Sequence, residues 1–272
     1  NISVIGLGYI GLPTAAMFAS KEKKVVGIDI NSYIVDIINS GKIHIVEPEL
    51  ESIVKQAVEG GFLRATLAPE PADAFLITVP TPFLPAKNED STPKPDLSFI
   101  KSATNLISKV LKEGDLVILE STSPVGTTEQ MSVWLAEARK DLSFPHTHGE
   151  NSDIRIAYCP ERVLPGHIVR ELQENDRVIG GMTQKCSRAS IEVYSSFVKG
   201  DFAVTNARTA EMVKLTENAS RDVNIAFANE LSIICDKLEI NVWELIGLAN
   251  RHPRVDILQP GPGVGGHCIA VD

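Results

Sequence analysis

One cysteine near the end of the 272-residue chain stands among glycines: Gly261-Pro262-Gly263-Val264-Gly265-Gly266-His267-Cys268-Ile269-Ala270-Val271-Asp272. Glycines let a backbone turn sharply and let another molecule approach it closely. A free thiol titrates near pH ~8.5, and only its thiolate is a strong nucleophile. Backbone N–H groups around Cys268 would favour that anion. Taken alone, the stretch reads more simply as a small buried cysteine after a Gly/Pro turn.

The opposite end of the chain shifts that balance. Ile2-Ser3-Val4-Ile5 is a strand-like run, followed at once by Gly6-Leu7-Gly8-Tyr9-Ile10-Gly11 and a helical run to Ser20. Gly6 permits a tight turn, Gly8 lets the backbone approach a pyrophosphate, and Gly11 lets helix and strand pack closely. The helix N-terminus turns its positive end toward phosphate. A second strand, residues 24–28, ends at Asp29. A carboxylate there accepts hydrogen bonds from a ribose diol and repels a 2′-phosphate, so NAD is expected over NADP. A nucleophile together with a hydride acceptor makes a specific chemistry.

Other candidates lie where strands stop. Residues 74–79 form a strand halted by Pro80-Thr81-Pro82, at the end where doubly wound sheets place ligands, although Thr81 alone is an ordinary turn residue. Residues 120–128 crowd hydroxyls, Thr122 among them, at a strand-to-helix turn; helix capping alone would also explain them. A strand over 154–158 runs into Cys159-Pro160-Glu161-Arg162-Val163-Leu164-Pro165-Gly166, where the charged pair fits a site and a surface ion pair equally. Lys214, Asn218 and Arg221 stand at i, i+4 and i+7 and share a helix face, which fits a site or a solvated stripe. Asn250-Arg251-His252-Pro253-Arg254 could grip a diphosphate or form a basic surface loop.

These residues need a scaffold, and the pattern supplies one. Strands are expected at 2–5, 24–28, 74–79, 116–119, 154–158, 177–179 and 202–205. Helices are expected at 12–20, 31–39, 49–59, 96–111, 129–139 and 184–198, with surface loops at 83–95 and 143–152. The alternation implies an α/β fold, a Rossmann-like doubly wound parallel sheet with helices on both faces, over residues 1–205. Residues 206–272 then form an all-α central domain. From Ala207 to Ile246 there is neither Gly nor Pro. One helix of about 48 Å is expected over 207–238, with Thr209 placed to cap it and a short helix following at 243–248. Its apolar residues lie on several sides and call for cover by a second copy.

The bulk numbers narrow the class. The chain is 43% hydrophobic and 22% charged, with net charge −9, which argues against nucleic acid and anionic membranes. No apolar run approaches the ~18 residues of a membrane helix, and the first residues read as a strand rather than a signal peptide. The four cysteines, at 159, 186, 235 and 268, form no C-x-x-C pair, so neither zinc nor a disulfide framework is indicated and a reducing cytoplasm is expected.

The motifs GLGYIGLP, VPTPF, ESTSPVGTTE, YCPERVLPG, RTAEMVKLTEN, ANRHPRV and GPGVGGHC together resemble the nucleotide-sugar 6-dehydrogenases, from Gly6 to Asp272. The resemblance implies a four-electron oxidation of a sugar C6 alcohol to a carboxylate with two NAD+. It implies Cys268 as covalent nucleophile, Lys214 as proton acceptor or donor at the C6 oxygen, and Asn218 as its hydrogen-bond partner. Glu161, Thr122 and Asp272 match positions that order or activate water. Cofactor contacts carry over to Tyr9, Ile10, Asp29, Thr81 and Thr122. Substrate contacts carry over to Arg162, Val163, Lys214, Asn218, Arg221, His252, Arg254 and Gly265. It further implies a UDP-sugar substrate, a homodimer through the long helix, and a C-terminal domain beyond Asp272 that completes the sugar site. The UDP-glucose branch usually has Glu where Pro165 stands and Lys where Val271 stands; both departures suit the branch acting on UDP-N-acetylmannosamine. Two other readings compete. A two-electron β-hydroxyacid dehydrogenase shares the Lys-x-x-x-Asn helix but needs no cysteine. A non-catalytic NAD-binding or dimerisation fragment needs neither.

Overall fold

Eight four- and five-residue strands carry the first unit, and their burial explains their composition. The structure, a computed structural model, describes residues 1–85 and 93–262. It divides into two compact units, 1–212 and 213–272. In the first, the strands are β1 (Ile2–Ile5), β2 (Val25–Ile28), β3 (Leu63–Thr66), β4 (Ala74–Ile77), β5 (Leu116–Leu119), β6 (Arg155–Tyr158), β7 (Arg177–Gly181) and β8 (Phe202–Asn206). β1, β4 and β5 are buried at every residue, as strands covered on both faces must be, and they read as continuous apolar runs for that reason.

The sheet order is β3-β2-β1-β4-β5-β6-β7-β8, with β1 between β2 and β4. β1 to β6 run parallel in that order. This is the doubly wound arrangement, and its order reverses direction at β1/β4, where such sheets open a crevice at their carboxyl ends. The connecting helices are α1 (Gly11–Ala19), α2 (Ser32–Asn39), α3 (Leu50–Glu59), α4 (Ser98–Ser108), α5 (Thr127–Ala138), α6 (Pro145–His148), α7 (Ile168–Glu174) and α8 (Gln184–Tyr194). All nine residues of α1 are buried, which its small and apolar side chains allow.

Three features depart from the sequence reading. β3 was not expected: only Leu63 and Ala65 face inward, so a four-residue edge strand carries little apolar signal. The expected loop at 143–152 holds α6 and a 3-10 turn, Gly149–Asn151, and α7 lies where no element was placed. The sheet is not parallel throughout, because β7 pairs antiparallel with β6, Tyr158 opposite Gly180. The intervening chain spends itself on a Pro-rich loop and the seven-residue α7, too short a helix to cross the sheet face and return parallel.

The second unit takes in most of α9 (Ala207–Lys237), then α10 (Val242–Ala249). Asn206, rather than Thr209, caps α9: its Oδ1 accepts from Thr209 N at 2.9 Å. Asn241 caps α10 by accepting from Trp243 N and Glu244 N. Among the described residues no helix is long and apolar enough to cross a membrane.

Candidate active site

Parallel strands deliver their carboxyl ends to one edge, and that edge collects the candidates of the first unit. The turn after β1 is held by fit. Gly6 has φ +94, and a Cβ there would sit 3.0 Å from Thr78 O. A Cβ on Gly11 would lie 1.8 Å from Gly6 O. A Cβ on Gly8, in contrast, would meet nothing within 4 Å, so this face of the turn is open and can admit a pyrophosphate. Tyr9 is exposed and Ile10 half-buried beside it. After β2, Asp29 Oδ2 accepts from Leu7 N at 3.0 Å and Oδ1 from Asn31 N at 2.9 Å. Each oxygen keeps a lone pair for a ribose hydroxyl, and the carboxylate is fixed to the glycine turn itself. Thr81 Oγ1 donates to Thr122 O at 2.7 Å, tying the β4 and β5 ends together. The donor and acceptor set therefore fits a dinucleotide.

Beyond β6 the edge turns inward. Glu161 is buried, at 7% exposure, and so not the surface ion pair that its motif equally allowed. Its Oε1 accepts from Arg162 N at 2.8 Å and its Oε2 from Arg177 Nη2 at 3.0 Å. Arg177 reaches it because β7 runs antiparallel: the first residue of β7 then lies beyond the last residue of β6. Arg177 Nη1 is 3.9 Å from Glu120 Oε1 and 3.7 Å from Cys159 Sγ. Tyr194 donates its hydroxyl to Glu120, and its ring lies 4.6 Å beneath the guanidinium. Burial pushes the Glu120 carboxyl up to about 7, against the pull of Arg177, and pushes the Cys159 thiol up to about 12. Cys159 is therefore no nucleophile at neutral pH. Burial likewise holds the Tyr194 phenol well above its usual range.

Arg162 and Val163 sit half-buried in the following loop. That loop is pinned from elsewhere: buried Glu47 accepts from Gly166 N at 2.9 Å and from Ile168 N at 2.8 Å. A second buried carboxylate, Glu211, accepts from Gly126 N, Thr128 N and Thr128 Oγ1, and so fills the N-terminus of α5 after the Thr122 turn.

In the second unit, Lys214 and Asn218 are half-buried and Arg221 exposed along α9. Asn250 donates to Ile257 O at 2.9 Å and accepts from Ile257 N at 2.8 Å, a clasp that closes the loop bearing exposed His252 and Arg254. Gly261 N donates to Asn229 Oδ1 at 2.9 Å, returning the chain to the long helix. Gly265, Cys268 and Asp272 lie outside the described residues.

Residues 1–198 match the NAD binding domain of the UDP-glucose/GDP-mannose dehydrogenase family, and residues 208–272 match its central domain. The chain belongs to that family. It is 69% identical over all 272 residues to the UDP-N-acetyl-D-mannosamine dehydrogenase of Campylobacter jejuni, covering 66% of that protein. It is 68% identical to the NDP-N-acetyl-D-galactosaminuronic acid dehydrogenase of Ralstonia nicotianae, covering all of this chain and 63% of the relative. Among solved structures, the UDP-D-ManNAc dehydrogenase of Pyrococcus horikoshii superposes with TM-score 0.89 at 46% identity, over 98% of this chain and 62% of that one. The chain thus spans a little under two thirds of the length of these relatives.

The cofactor of this family's first domain is NAD. The geometry of Asp29 makes its preference testable. Asp29→Ala should loosen the Leu7 turn, weaken NAD+ binding several-fold and narrow its advantage over NADP+, as read by titration of intrinsic fluorescence. Equal affinity of the unaltered protein for both cofactors would refute the ribose role. Reading from sequence singled out Glu161 but not Glu47, Glu120, Arg177, Tyr194 or Glu211. Only the antiparallel β7 brings Arg177 to the edge, and no local motif announces that.

Proposed function

We propose that this chain supplies the cofactor domain and catalytic centre of an NAD-dependent dehydrogenase acting on UDP-N-acetyl-D-mannosamine. The reaction oxidises the C6 alcohol to the carboxylate of UDP-N-acetyl-D-mannosaminuronate. The observation that carries the reading is a single strand edge holding the open Gly8 turn, Asp29, Thr122 and the buried Glu161. Family membership and the names of the relatives support the substrate class. We place the domain boundary at 205/206, at the end of β8 and ahead of α9: 1–205 for the cofactor and 206–272 for the central domain.

NAD+, when bound, would accept one hydride in each of the two oxidations, two NAD+ being consumed per substrate, and Gly6, Gly8, Tyr9, Ile10, Gly11, Asp29, Thr81 and Thr122 would hold it. Lys214 takes the C6 hydroxyl proton, and with Asn218 it stabilises negative charge on that oxygen. The Cys268 thiolate adds to the aldehyde carbon, giving a thiohemiacetal. Loss of the second hydride gives a thioester on Sγ. Water, ordered by Glu161, Thr122 and Asp272, adds to the thioester carbon; the C–S bond breaks, the thiolate departs and the acid leaves. Arg162, Val163, Arg221, His252, Arg254 and Gly265 contact the nucleotide sugar. Two features support bringing Cys268 to Lys214. The three cysteines among the described residues are all buried. Seven residues beyond Gly261 can reach at most about 25 Å, and Asn229, where Gly261 docks, lies about 22 Å along the helix from Lys214. The buried free thiols also agree with a reducing cytoplasm.

A panel of UDP-sugars tests the substrate in a protein of the relatives' full length. UDP-N-acetylmannosamine should exceed UDP-glucose by about 10²-fold or more in kcat/KM, with two NADH formed per acid. Preference for UDP-N-acetylgalactosamine would move the reading to the second relative's sugar. One NADH per product would move it to the two-electron β-hydroxyacid class.

The partner expected is a second copy. Val223, Phe227, Ile233 and Ile234 along α9, and Leu238 just past its end, are each about half exposed or more. A row of large apolar side chains that size marks an interface. Sedimentation at micromolar concentration should give a dimer, and Phe227→Glu with Ile234→Glu should give monomers. A monomer in the unaltered protein would refute the interface.

A further inference from the structure

We propose that Glu120, Arg177 and Tyr194 form a buried positioning cluster for the Glu161 carboxylate, in which the charge on Glu120 decides how much of the Arg177 guanidinium Glu161 keeps. This rests on the reading that Glu161 orders water. Arg177 faces two carboxyl groups here: Glu161 Oε2 is 3.0 Å from Arg177 Nη2, and Glu120 Oε1 is 3.9 Å from Nη1. The remaining neighbours are Cys159 Sγ, 3.7 Å from Nη1, and the Tyr194 hydroxyl, which donates to Glu120. Arg177, Glu120 and Glu161 side chains are 4%, 0% and 7% exposed, so water does not screen the competition. Two anions on one buried cation leave an uncompensated charge, which a protein interior disfavours strongly.

The geometry shows which carboxyl gives way. Glu161 has a donor on each oxygen, Arg162 N and Arg177. Glu120 has Tyr194 on Oε1, whereas its Oε2 is buried with no hydrogen-bond partner among the described residues. A proton on Glu120 neutralises the group whose second oxygen finds no donor and leaves Arg177 to Glu161. Burial places that titration near neutral pH, at about 7. Below it, Glu161 holds one fixed geometry. Above it, the Glu120 anion draws the guanidinium away and repels Glu161, so the water-adding step slows as pH rises.

The test compares kcat against pH from 5.5 to 9 in the full-length enzyme with NAD+ and UDP-sugar saturating. Glu120→Gln mimics the protonated carboxyl. It should keep most of the turnover at pH 6, lose the alkaline fall centred near 7, and so gain several-fold on the unaltered enzyme by pH 8.5. Tyr194→Phe removes a donor to Glu120 and keeps the ring under Arg177; it should move the same fall to higher pH, and it carries the test if Glu120→Gln does not fold. A fall unmoved in both variants overturns the cluster. Glu161→Gln separates the two claims. If it is inactive while the fall stays put in the Glu120→Gln and Tyr194→Phe enzymes, only the positioning role is lost; if it is fully active, the reading of Glu161 is lost and the cluster with it.

Discussion

Cys268→Ser is expected to leave NAD+ binding unchanged and to cut turnover to acid by on the order of 10³-fold or more. The cofactor contacts proposed for this chain, Gly6, Gly8, Tyr9, Ile10, Gly11, Asp29, Thr81 and Thr122, lie in the first unit. None depends on residue 268. What the substitution removes is a thiol, and a serine hydroxyl holds its proton far more tightly than a thiol does. On the proposed mechanism the first oxidation needs only Lys214, Asn218 and the cofactor, so it should survive in part. The proposed second oxidation needs a covalent adduct that can lose hydride, and the hydroxyl forms one poorly. The reaction should therefore stall near the aldehyde, or leave an oxygen ester on the protein that intact mass detects as an adduct. Cys159 cannot substitute, because burial holds its thiol at about 12. Lys214→Ala should act differently, slowing the first hydride step and leaving no adduct. Near-normal turnover with two NADH per acid in the Cys268→Ser enzyme would exclude the covalent role.

The parts of this protein legible in its sequence are those fixed by local rules. The β1 turn, α1 and Asp29 were readable because a strand, three spaced glycines and a carboxylate constrain one another within thirty residues. The long helix was readable because nothing in it breaks a helix, and the structure ends it at Lys237, one residue before the expected limit. What stayed hidden depends on distant pairing. β3 is a short edge strand whose register on β2 is supplied by the sheet, not by its own four residues. The antiparallel turn into β7 follows from a Pro-rich loop and a short α7, and it is what places Arg177 against Glu161. Glu47 and Glu211 look like ordinary surface carboxylates in sequence. Each is instead buried to hold backbone N–H groups, Glu47 those of a loop 119 and 121 residues away and Glu211 those of a turn 85 and 83 residues away. A carboxylate buried on backbone donors leaves no periodic trace.

The two glycines of the fingerprint are expected to respond oppositely, and the contrast separates folding from binding. Gly11→Ala should destabilise the first unit by about 2 kcal/mol or more and abolish NAD+ binding with it. Its new methyl would sit 1.8 Å from Gly6 O and 2.4 Å from Thr78 Oγ1. Neither neighbour can retreat cheaply. Gly6 is already held at φ +94, and Thr78 Oγ1 donates to both Ile5 O and Gly6 O, at 2.9 and 2.7 Å. The turn must open, and Leu7 with its bond to Asp29 moves with it. Gly8→Ala meets nothing within 4 Å and lies outside the left-handed region, so thermal unfolding should shift by only about 1–2 °C. Its methyl projects into the open face of the turn, where the pyrophosphate would lie. NAD+ affinity should fall by about 10- to 100-fold while the unfolding temperature holds, because close backbone approach is what that glycine provides. Calorimetric unfolding and NAD+ titration on the same two variants read both quantities. If Gly8→Ala bound NAD+ as tightly as the unaltered protein, the cofactor would not sit against this turn, and the roles given to Tyr9, Ile10 and Asp29 would fall together.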